Sequence, residues 1–181
     1  MIFEKTSIQD CYNILIEKHE DQRGFFGRVF DKKEFESKGL RTQFVQSSIS
    51  KSLKKGTVRG FHYQVAPNLE CKLVRCIKGK AYTVIVDLRK SSPTFGKSDG
   101  FEITSDNYAV RYVPEGCANC TQMLEDNTDL FYLTTGYYSL KYERGIKWND
   151  PFFKIKLPLK VTNISDKDKN WKPFNPDTCM T

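Results

Sequence analysis

The sequence lacks any apolar stretch near the roughly 20 residues that a membrane-spanning helix needs. Its N-terminus lacks a basic segment followed by an apolar one, so it predicts no secretory signal. Low-complexity tracts and linkers rich in proline or glycine are missing as well. We therefore expect a single domain over residues 1–181, in a soluble cytoplasmic protein with no membrane partner.

Composition excludes disorder but leaves the type of partner open. The 181 residues are 39% hydrophobic and 13% aromatic, which is enough to build a sizeable core. Lysine and arginine outnumber aspartate and glutamate by 29 to 22, giving a net charge of +7. This excess fits either a basic solvated surface or an anionic ligand, such as nucleic acid or a phosphorylated small molecule.

The cysteines are expected to be reduced, because no secretory signal is predicted. The six are Cys11, Cys71, Cys76, Cys117, Cys120 and Cys179. Cys117 and Cys120 have the spacing of a metal knuckle or a redox pair. However, no second ligand pair lies nearby, and residues 121–124 favour a strand rather than the helix of a redox motif. We interpret both as buried, inert thiols.

Short strands dominate the local patterns. Seven segments have strand length and β-branched content, at residues 12–17, 43–50, 57–63, 72–77, 80–88, 109–113 and 130–134. One helix is predicted to begin at Asp31, with Glu34 completing a capping box and Gly39 ending it. The charged segment 166–170 is interpreted as a loop. Together these patterns predict an all-β antiparallel barrel or sandwich, with a jelly roll favoured and short flanking helices.

A basic β barrel also fits an oligonucleotide-binding protein. Such a protein stacks bases on surface aromatics that lie among basic residues. Phe25-Phe26 lies between Arg23 and Arg28, and Tyr137-Tyr138 offers a second aromatic pair. Nucleic-acid binding therefore stays open as an alternative, as does stacking of a single nucleotide base.

The chain has only two histidines, and they lie in different surroundings. His19 lies among charged residues and is interpreted as a solvated surface side chain. His62 lies on a predicted strand, where even-numbered side chains are expected to share one face. A lone histidine on a strand is more often a core residue than a catalyst, so its function depends on a wider pattern.

That wider pattern is a series of motifs that resembles the dTDP-4-dehydrorhamnose 3,5-epimerase family. In family order they are DQRGFF at 21–26, RGFHYQ at 59–64, KLVR at 72–75, SPTFG at 92–96, VPEG at 113–116, YLTT at 132–135, GIKWNDP at 145–151 and SDKD at 165–168. The resemblance implies a cupin-type jelly-roll barrel that uses no metal and no cofactor. It also implies a homodimer whose sites borrow residues from the partner subunit. The paired histidines of metal-binding cupins are missing, since Tyr63-Gln64 follows His62.

The resemblance also implies a reaction and its catalytic residues. The family inverts C3, C5 or both in 4-keto-6-deoxy sugars linked to a nucleoside diphosphate. By resemblance His62 is the base, Asp168 orients it, Tyr132 is the acid on the opposite face, and Lys72 stabilises the enolate oxygen. A neutral imidazole is chemically suited to this task, because its ordinary pKa of about 6.5 lies near neutral pH.

Substrate-binding residues follow from the same resemblance. It implies diphosphate binding by Arg23, Arg59 and Lys167, a polar contact from Gln46, and stacking on the base by Phe26 and Tyr138. Phe26 is expected to come from the neighbouring subunit. Part of the positive charge would then be complementary to the ligand.

Three departures from the family pattern bear on the substrate. Arg28 stands where the thymidine-specific enzymes carry glutamate, and a donor-only guanidinium suits the O6 and N7 acceptors of guanine. Asn119 stands where the family has a histidine, and Ser48 where it has an asparagine. These changes favour a GDP-linked heptose over a dTDP-linked hexose, with a CDP-linked sugar also plausible.

The sequence therefore predicts an isomerase that epimerises a nucleotide-linked 4-keto-6-deoxy sugar for a bacterial surface glycan such as a capsule. Two alternatives remain. One is a ketoisomerase that moves the carbonyl from C4 to C3 on a similar barrel. The other is a barrel that binds nucleotides or nucleic acid without catalysis.

Overall fold

The computed structural model describes residues 1–177, so Cys179 lies outside the described part. Over these residues the elements in chain order are β1 (Ile2–Lys5), β2 (Tyr12–Leu15), β3 (His19–Asp21), β4 (Gly24–Phe26), α1 (Lys32–Ser37), β5 (Gln46–Ser52), β6 (Thr57–Gln64), β7 (Lys72–Lys78), β8 (Lys80–Asp87), β9 (Ser98–Thr104), β10 (Val110–Val113), β11 (Cys117–Met123), β12 (Thr128–Thr134), β13 (Glu143–Gly145), β14 (Asn163–Ile164) and α2 (Asp166–Lys169).

The strands form two large sheets and a small hairpin. One sheet has the order β1-β2-β10-β7-β12-β5, and the other has the order β13-β6-β11-β8-β9, with β14 added beside β6. Strands β3 and β4 pair only with each other. The pairs are antiparallel except for β14 on β6, which is parallel. This architecture confirms the predicted all-β class with short flanking helices.

All seven predicted strands are present, with ends shifted by a few residues. The strand predicted at 12–17 ends at Leu15, and the one predicted at 43–50 begins at Gln46. The sequence reasoning missed β9 and the short strands β1, β3, β4, β13 and β14. Each short strand has only two to four residues and buries none of them, so no clear alternation of apolar and polar side chains marks it.

Helix α1 begins as predicted. The Asp31 carboxylate accepts hydrogen bonds from the backbone N–H groups of Lys33 and Glu34, at 2.9 and 3.2 Å. After the helix, Gly39 has a φ of +72°, a conformation that glycine adopts without strain. The helix buries Phe35 against the outer face of the first sheet, next to Leu73 and Val110.

The space between the two sheets is apolar at one end and polar at the other. The apolar end is a buried cluster that draws residues from both sheets: Val74, Cys76, Ala81, Ile103, Ala109, Met123 and Leu130. Two members of that cluster, Val74 and Leu130, also line a cavity whose other walls are largely polar. The core therefore forms part of the wall of the candidate site.

Candidate active site

The cavity has two adjoining lobes. The first lobe has a volume of about 600 Å³ and is lined by Arg59, Asn119, Lys167 and Asp168 together with apolar and small residues. The second lobe has a volume of about 410 Å³ and is lined by Gln46, Tyr138 and Glu143, among others. His62, Lys72 and Tyr132 line both lobes. The three side chains thus stand where the lobes meet.

His62 and Asp168 form a hydrogen-bonded pair. The imidazole Nε2 lies 2.6 Å from Asp168 Oδ1. The backbone N–H of Gly60 donates to Oδ2 at 3.2 Å, and the indole Nε1 of Trp171 donates to Oδ1 at 3.3 Å. The carboxylate is buried, while 29% of the imidazole is exposed toward the cavity. This geometry suits an imidazole that exchanges a proton with a bound molecule.

The environment of Asp168 favours its ionised form. Burial raises the pKa of this carboxyl, but hydrogen bonding to His62 and the charge of His62 oppose that effect. The hydrogen bonds from Gly60 and Trp171 also lower the pKa of Asp168, so this pKa lies below its ordinary value. Asp168 can therefore hold the imidazole in one tautomer and stabilise its protonated form.

The segment 166–170, predicted to be a loop, contains a one-turn helix, so that prediction was wrong. Ser165 caps α2 by accepting the backbone N–H of Asp168 at 3.1 Å. The spacing of Ser165 and Asp168 is that of a capping box, a signal the sequence reasoning passed over because charge density favoured a loop. The cap fixes the backbone of Asp168 below His62.

Strand β6 does not follow the predicted alternation. On β11, Asn119 pairs with His62 and Thr121 pairs with Arg59, so β6 holds one more residue than its partner between these positions. The irregularity brings an odd-numbered and an even-numbered side chain, Arg59 and His62, into the same cavity. The expectation that only even-numbered residues share this face was therefore wrong.

Lys72 and Tyr132 come from adjacent strands of the opposite sheet. In the register of β7 and β12, Thr134 lies beside Lys72 and Tyr132 lies beside Val74. The side chains of Lys72 and Tyr132 therefore both project to the interior. The Lys72 ammonium lies 3.2 Å from the carboxylate of Glu70, and both side chains are largely buried. This ion pair orients the ammonium at the cavity wall.

Two further cations line the first lobe. Arg59 donates from Nε to Ser52 Oγ and from Nη2 to the carbonyl of Lys51, both at 2.9 Å. Lys167 lies 2.7 Å from Glu143 Oε1. Asn119, on the strand next to His62, donates to Thr83 Oγ1 at 3.3 Å. The lobe therefore presents cationic and amide groups, as an anionic ligand requires.

Glu143 connects the second lobe to the first. Its carboxylate accepts the Tyr138 hydroxyl at 3.0 Å as well as the Lys167 ammonium. Gln46 in turn accepts the backbone N–H of Tyr138 at 2.7 Å. Burial raises the pKa of Glu143, but the hydrogen bonds from Lys167 and Tyr138 outweigh it and hold the pKa below its ordinary value.

Three predicted binding residues lie away from this cavity within residues 1–177. Arg23 is on the turn of the β3–β4 hairpin and pairs with Asp21 at 2.6 Å. Phe26, on β4, is 64% exposed. Arg28 follows the hairpin and lies 3.6 Å from Asp31. A single chain therefore does not bring these three side chains to the other predicted residues.

Comparison with known proteins decides the family. The family model described as dTDP-4-dehydrorhamnose 3,5-epimerase matches residues 5–176. A dTDP-4-dehydrorhamnose 3,5-epimerase of Shigella flexneri is 42% identical over 171 residues, which cover 94% of each chain. The chain belongs to the dTDP-4-dehydrorhamnose 3,5-epimerase family.

Solved structures of this epimerase family have the same fold. The enzyme of Elizabethkingia anophelis superposes with a TM-score of 0.94 at 36% identity, covering 99% of this chain and 98% of the other. The enzyme of Bacillus anthracis, solved with TDP and PPi bound, superposes with a TM-score of 0.91 at 35% identity, covering 96% and 99%. These matches confirm the predicted cupin-type jelly roll and the predicted epimerase family.

The epimerase comparisons give no support to the predicted preference for a GDP-linked heptose. The relatives carry dTDP-linked sugars in their names, and one structure holds TDP. They give no support to the nucleic-acid-binding alternative either. Among residues 1–177, no group of three or more histidine, cysteine or acidic side chains could hold a metal ion, and no helix is long and apolar enough to cross a membrane.

The cysteines of this family member are placed as predicted where the structure describes them. Cys117 and Cys120 lie on β11, and both are buried and free. Burial raises the pKa of both thiols, so they stay protonated. The strand and the buried thiols predicted at this motif are confirmed.

Sequence reasoning missed three polar side chains of the candidate site: Glu70, Glu143 and Trp171. Glu70 lies two residues before Lys72, a spacing that places both on one face of an extended chain, and this signal could have found it. Glu143 and Trp171 reach the site only through the pairing of β13 with β6 and through the turn after α2. No local pattern in the sequence marks them.

Proposed function

We propose that this protein epimerises a dTDP-linked 4-keto-6-deoxy sugar at C3 and C5. The observation that carries the proposal is the meeting of His62, Lys72 and Tyr132 between two cavity lobes, with Asp168 hydrogen-bonded behind His62. The dTDP linkage rests on the family and on the relative that binds TDP. The Arg28 side chain, which suggested guanine, pairs with Asp31.

The proposed reaction proceeds through an enolate. The C4 carbonyl acidifies the C–H bonds at C3 and C5, so a base of ordinary strength can remove either proton. His62 takes the proton, and the imidazolium is stabilised by the ionised carboxylate of Asp168. Tyr132 returns a proton from the opposite face of the ring, which inverts the carbon.

Lys72 stabilises the negative charge that develops on the C4 oxygen. Its ammonium is largely buried, and a charge in such a site interacts more strongly than it does in water. Because Glu70 already holds the ammonium, little reorganisation is needed when the enolate forms. The ketone oxygen is thus expected to face β7, with the sugar ring between His62 and Tyr132.

The nucleotide end of the substrate binds through charge and stacking. Arg59 and Lys167 contact the diphosphate, and Gln46 and Tyr138 contact the nucleoside from the second lobe. Asn119 contacts the sugar in the place of the family's histidine. The B. anthracis relative holding TDP and PPi supports a site of this chemistry.

The active form is proposed to be a homodimer in which each hairpin β3–β4 completes the site of the other chain. Arg23 and Phe26 are exposed, and neither lines the cavity of its own chain. Another large apolar side chain, Ile49 on the edge strand β5, is 67% exposed. A second subunit would cover these side chains and bring Phe26 to the base opposite Tyr138.

Product analysis tests this function. The purified protein is incubated with dTDP-4-keto-6-deoxy-glucose, and the product is analysed by NMR. Inversion at C3 and C5 with the carbonyl still at C4 is expected. A carbonyl at C3 would identify a ketoisomerase, and inversion at one carbon would identify a monoepimerase with Asn119 as the first residue to examine. Faster turnover of the GDP-linked sugar would contradict the proposed nucleotide.

A further inference from the structure

The Trp171 indole and the His62 imidazole both hydrogen-bond to the same carboxylate oxygen of Asp168. Its indole Nε1 donates to Asp168 Oδ1 at 3.3 Å, and the His62 Nε2 lies 2.6 Å from the same atom. Gly60 donates to the other carboxylate oxygen, Oδ2. The carboxylate behind the predicted base therefore receives three donors, one of which is an indole that sequence reasoning did not connect with the site.

Strand β13 provides the space for this indole. Gly145 on β13 pairs with His62 on β6. A side-chain carbon at Gly145 would lie 2.1 Å from Cε2 of the Trp171 indole, far inside van der Waals contact. Only glycine at this position lets the ring lie against the strand beside His62. The indole is thus held by packing as well as by its hydrogen bond.

We propose that Trp171 is a positioning residue that, through its hydrogen bond to Asp168, sets the pH at which His62 gains its proton. The effect on catalysis rests on the proposed function, whereas the effect on the titration of His62 does not.

The physical basis of this effect is that the indole of Trp171 and the imidazolium of His62 compete for one acceptor, Oδ1 of Asp168. An indole N–H can only donate and carries no charge, so it withdraws electron density from Oδ1 without adding a charge of its own. A carboxylate that is already hydrogen-bonded elsewhere is a weaker partner for an imidazolium. Trp171 therefore lowers the affinity of His62 for its proton and keeps more of the imidazole in the neutral form a base requires.

Other charged and titratable groups face this pair from every neighbouring element. His62 faces Lys72 on β7, Tyr132 on β12 and Glu143 on β13, with Arg59 on its own strand and Lys167 on α2. Asp168 also faces the buried thiol of Cys120, whose pKa is raised by burial, so the thiol stays neutral. Replacing Trp171 with phenylalanine changes none of these groups, which isolates the indole donor.

The test is the titration of His62 followed by NMR of the imidazole carbons. The chain has only two histidines, so a His19→Gln variant assigns the two signals. Trp171→Phe is expected to raise the midpoint of His62 by roughly half a pH unit, because the midpoint changes only by the difference in strength of the indole hydrogen bond between the two protonation states of His62. Trp148→Phe, which removes the chain's other tryptophan, is expected to leave the midpoint unchanged.

Enzyme kinetics provide the second readout. The rate falls as His62 becomes protonated, so a higher midpoint moves the acid limb of the kcat/KM profile to higher pH by the same amount. If phenylalanine destabilises the fold, benzothienyl-alanine at position 171 keeps the ring size and lacks the N–H. A midpoint in Trp171→Phe that is unchanged or lower would overturn the proposal, whether or not the protein is an epimerase. Absence of epimerase activity with a raised midpoint would overturn only the proposed function.

Discussion

The imidazole Nε2 of His62 lies 2.6 Å from Oδ1 of Asp168, although 106 positions of the chain separate the two residues. The carboxylate is buried, is fixed by the capped helix α2, and has a pKa below its ordinary value. An ionised and oriented carboxylate stabilises the imidazolium that forms when His62 takes a proton. The imidazole and the carboxylate proposed to orient it are therefore already hydrogen-bonded to each other in the structure.

Replacement of Asp168 by asparagine tests this arrangement. The amide keeps the size of the side chain but cannot carry the charge that stabilises the imidazolium. We expect kcat to fall on the order of 10³-fold or more while the far-UV circular dichroism stays unchanged. Asp166→Asn on the same helix, where the carboxylate is exposed, is the matched control and is expected to keep its activity. Comparable activity in the two variants would contradict a role for Asp168.

Lys72→Met removes the charge expected at the C4 oxygen. Loss of one such group typically raises the barrier by about 2.7–4 kcal/mol, or about 10²–10³-fold in kcat. Lys78 lies on the same strand and is exposed, so the Lys78→Met variant serves as the control. Steady-state kinetics at saturating substrate measure the difference. Normal turnover by Lys72→Met would remove Lys72 from the mechanism.

Glu143→Gln separates binding from chemistry. The neutral amide weakens the contacts that orient Lys167 and Tyr138, two residues proposed to hold the nucleotide end. We expect KM to rise roughly 5- to 30-fold, as for loss of one or two hydrogen bonds to a charged group, with a smaller change in kcat. Glu102→Gln, an exposed carboxylate on β9, is the control. A fall in kcat with unchanged KM would place Glu143 in the chemical step instead.

Hybrid dimers test whether sites are shared between subunits. Phe26→Ala and His62→Asn are each expected to be defective alone. When the two chains are co-expressed with different tags and the hybrid is purified, one site combines an intact His62 with an intact Phe26 from the partner. Activity is then expected to return to about half of the wild-type level, because one of two sites is complete. No recovery in the hybrid would contradict a shared site.

Asp87→Asn tests a buried charge outside the site. The Asp87 carboxylate accepts hydrogen bonds from Arg89, Ser92 and Thr94. Burial raises its pKa, but these donors outweigh burial, so the folded pKa lies below the ordinary value of about 3.9. The amide is expected to cost about 3 kcal/mol of unfolding free energy at pH 7, measured by urea denaturation.

The pH dependence of that loss has a definite sign. Because the folded pKa is lowered, the contribution of Asp87 is complete above its unfolded pKa and disappears as the pH falls through the folded pKa. The difference between wild type and Asp87→Asn is therefore expected to shrink in acid. The exposed pair Lys80–Glu102 gives a control, since Glu102→Gln is expected to cost less than about 1 kcal/mol. Equal losses in the two variants would contradict the importance of burial.

Much of the fold follows from local sequence patterns. The β-branched run at β8 and the cap at Asp31 each specify their element from a few neighbouring residues. The short strands β3, β4 and β13 do not, because their pairing is set by turns and by contacts with distant strands. The helix at 166–169 was missed because its single turn depends on one cap, Ser165, rather than on a periodic apolar face.

The only residues of the candidate site that were predicted are those that the family motifs contain or mark by resemblance. His62, Lys72, Tyr132 and Asp168 lie around one cavity, but composition and spacing alone would not have united residues so far apart in the chain. Trp171 was not predicted because its contact with Asp168 depends on the strand register that places Gly145 opposite His62. A contact of this kind exists only after the sheet has formed, so no local pattern encodes it.

Exchange of substrate hydrogen with solvent is the most direct measurement of the central claim. The wild-type protein and His62→Asn are incubated in D2O with dTDP-4-keto-6-deoxy-glucose, and the sugar is analysed by mass spectrometry and NMR. We expect deuterium at both C3 and C5 with the wild type and at neither carbon with His62→Asn, while both proteins bind TDP. Equal deuterium in the two proteins, or none with the wild type beyond a protein-free control, would contradict the role of His62 as the base.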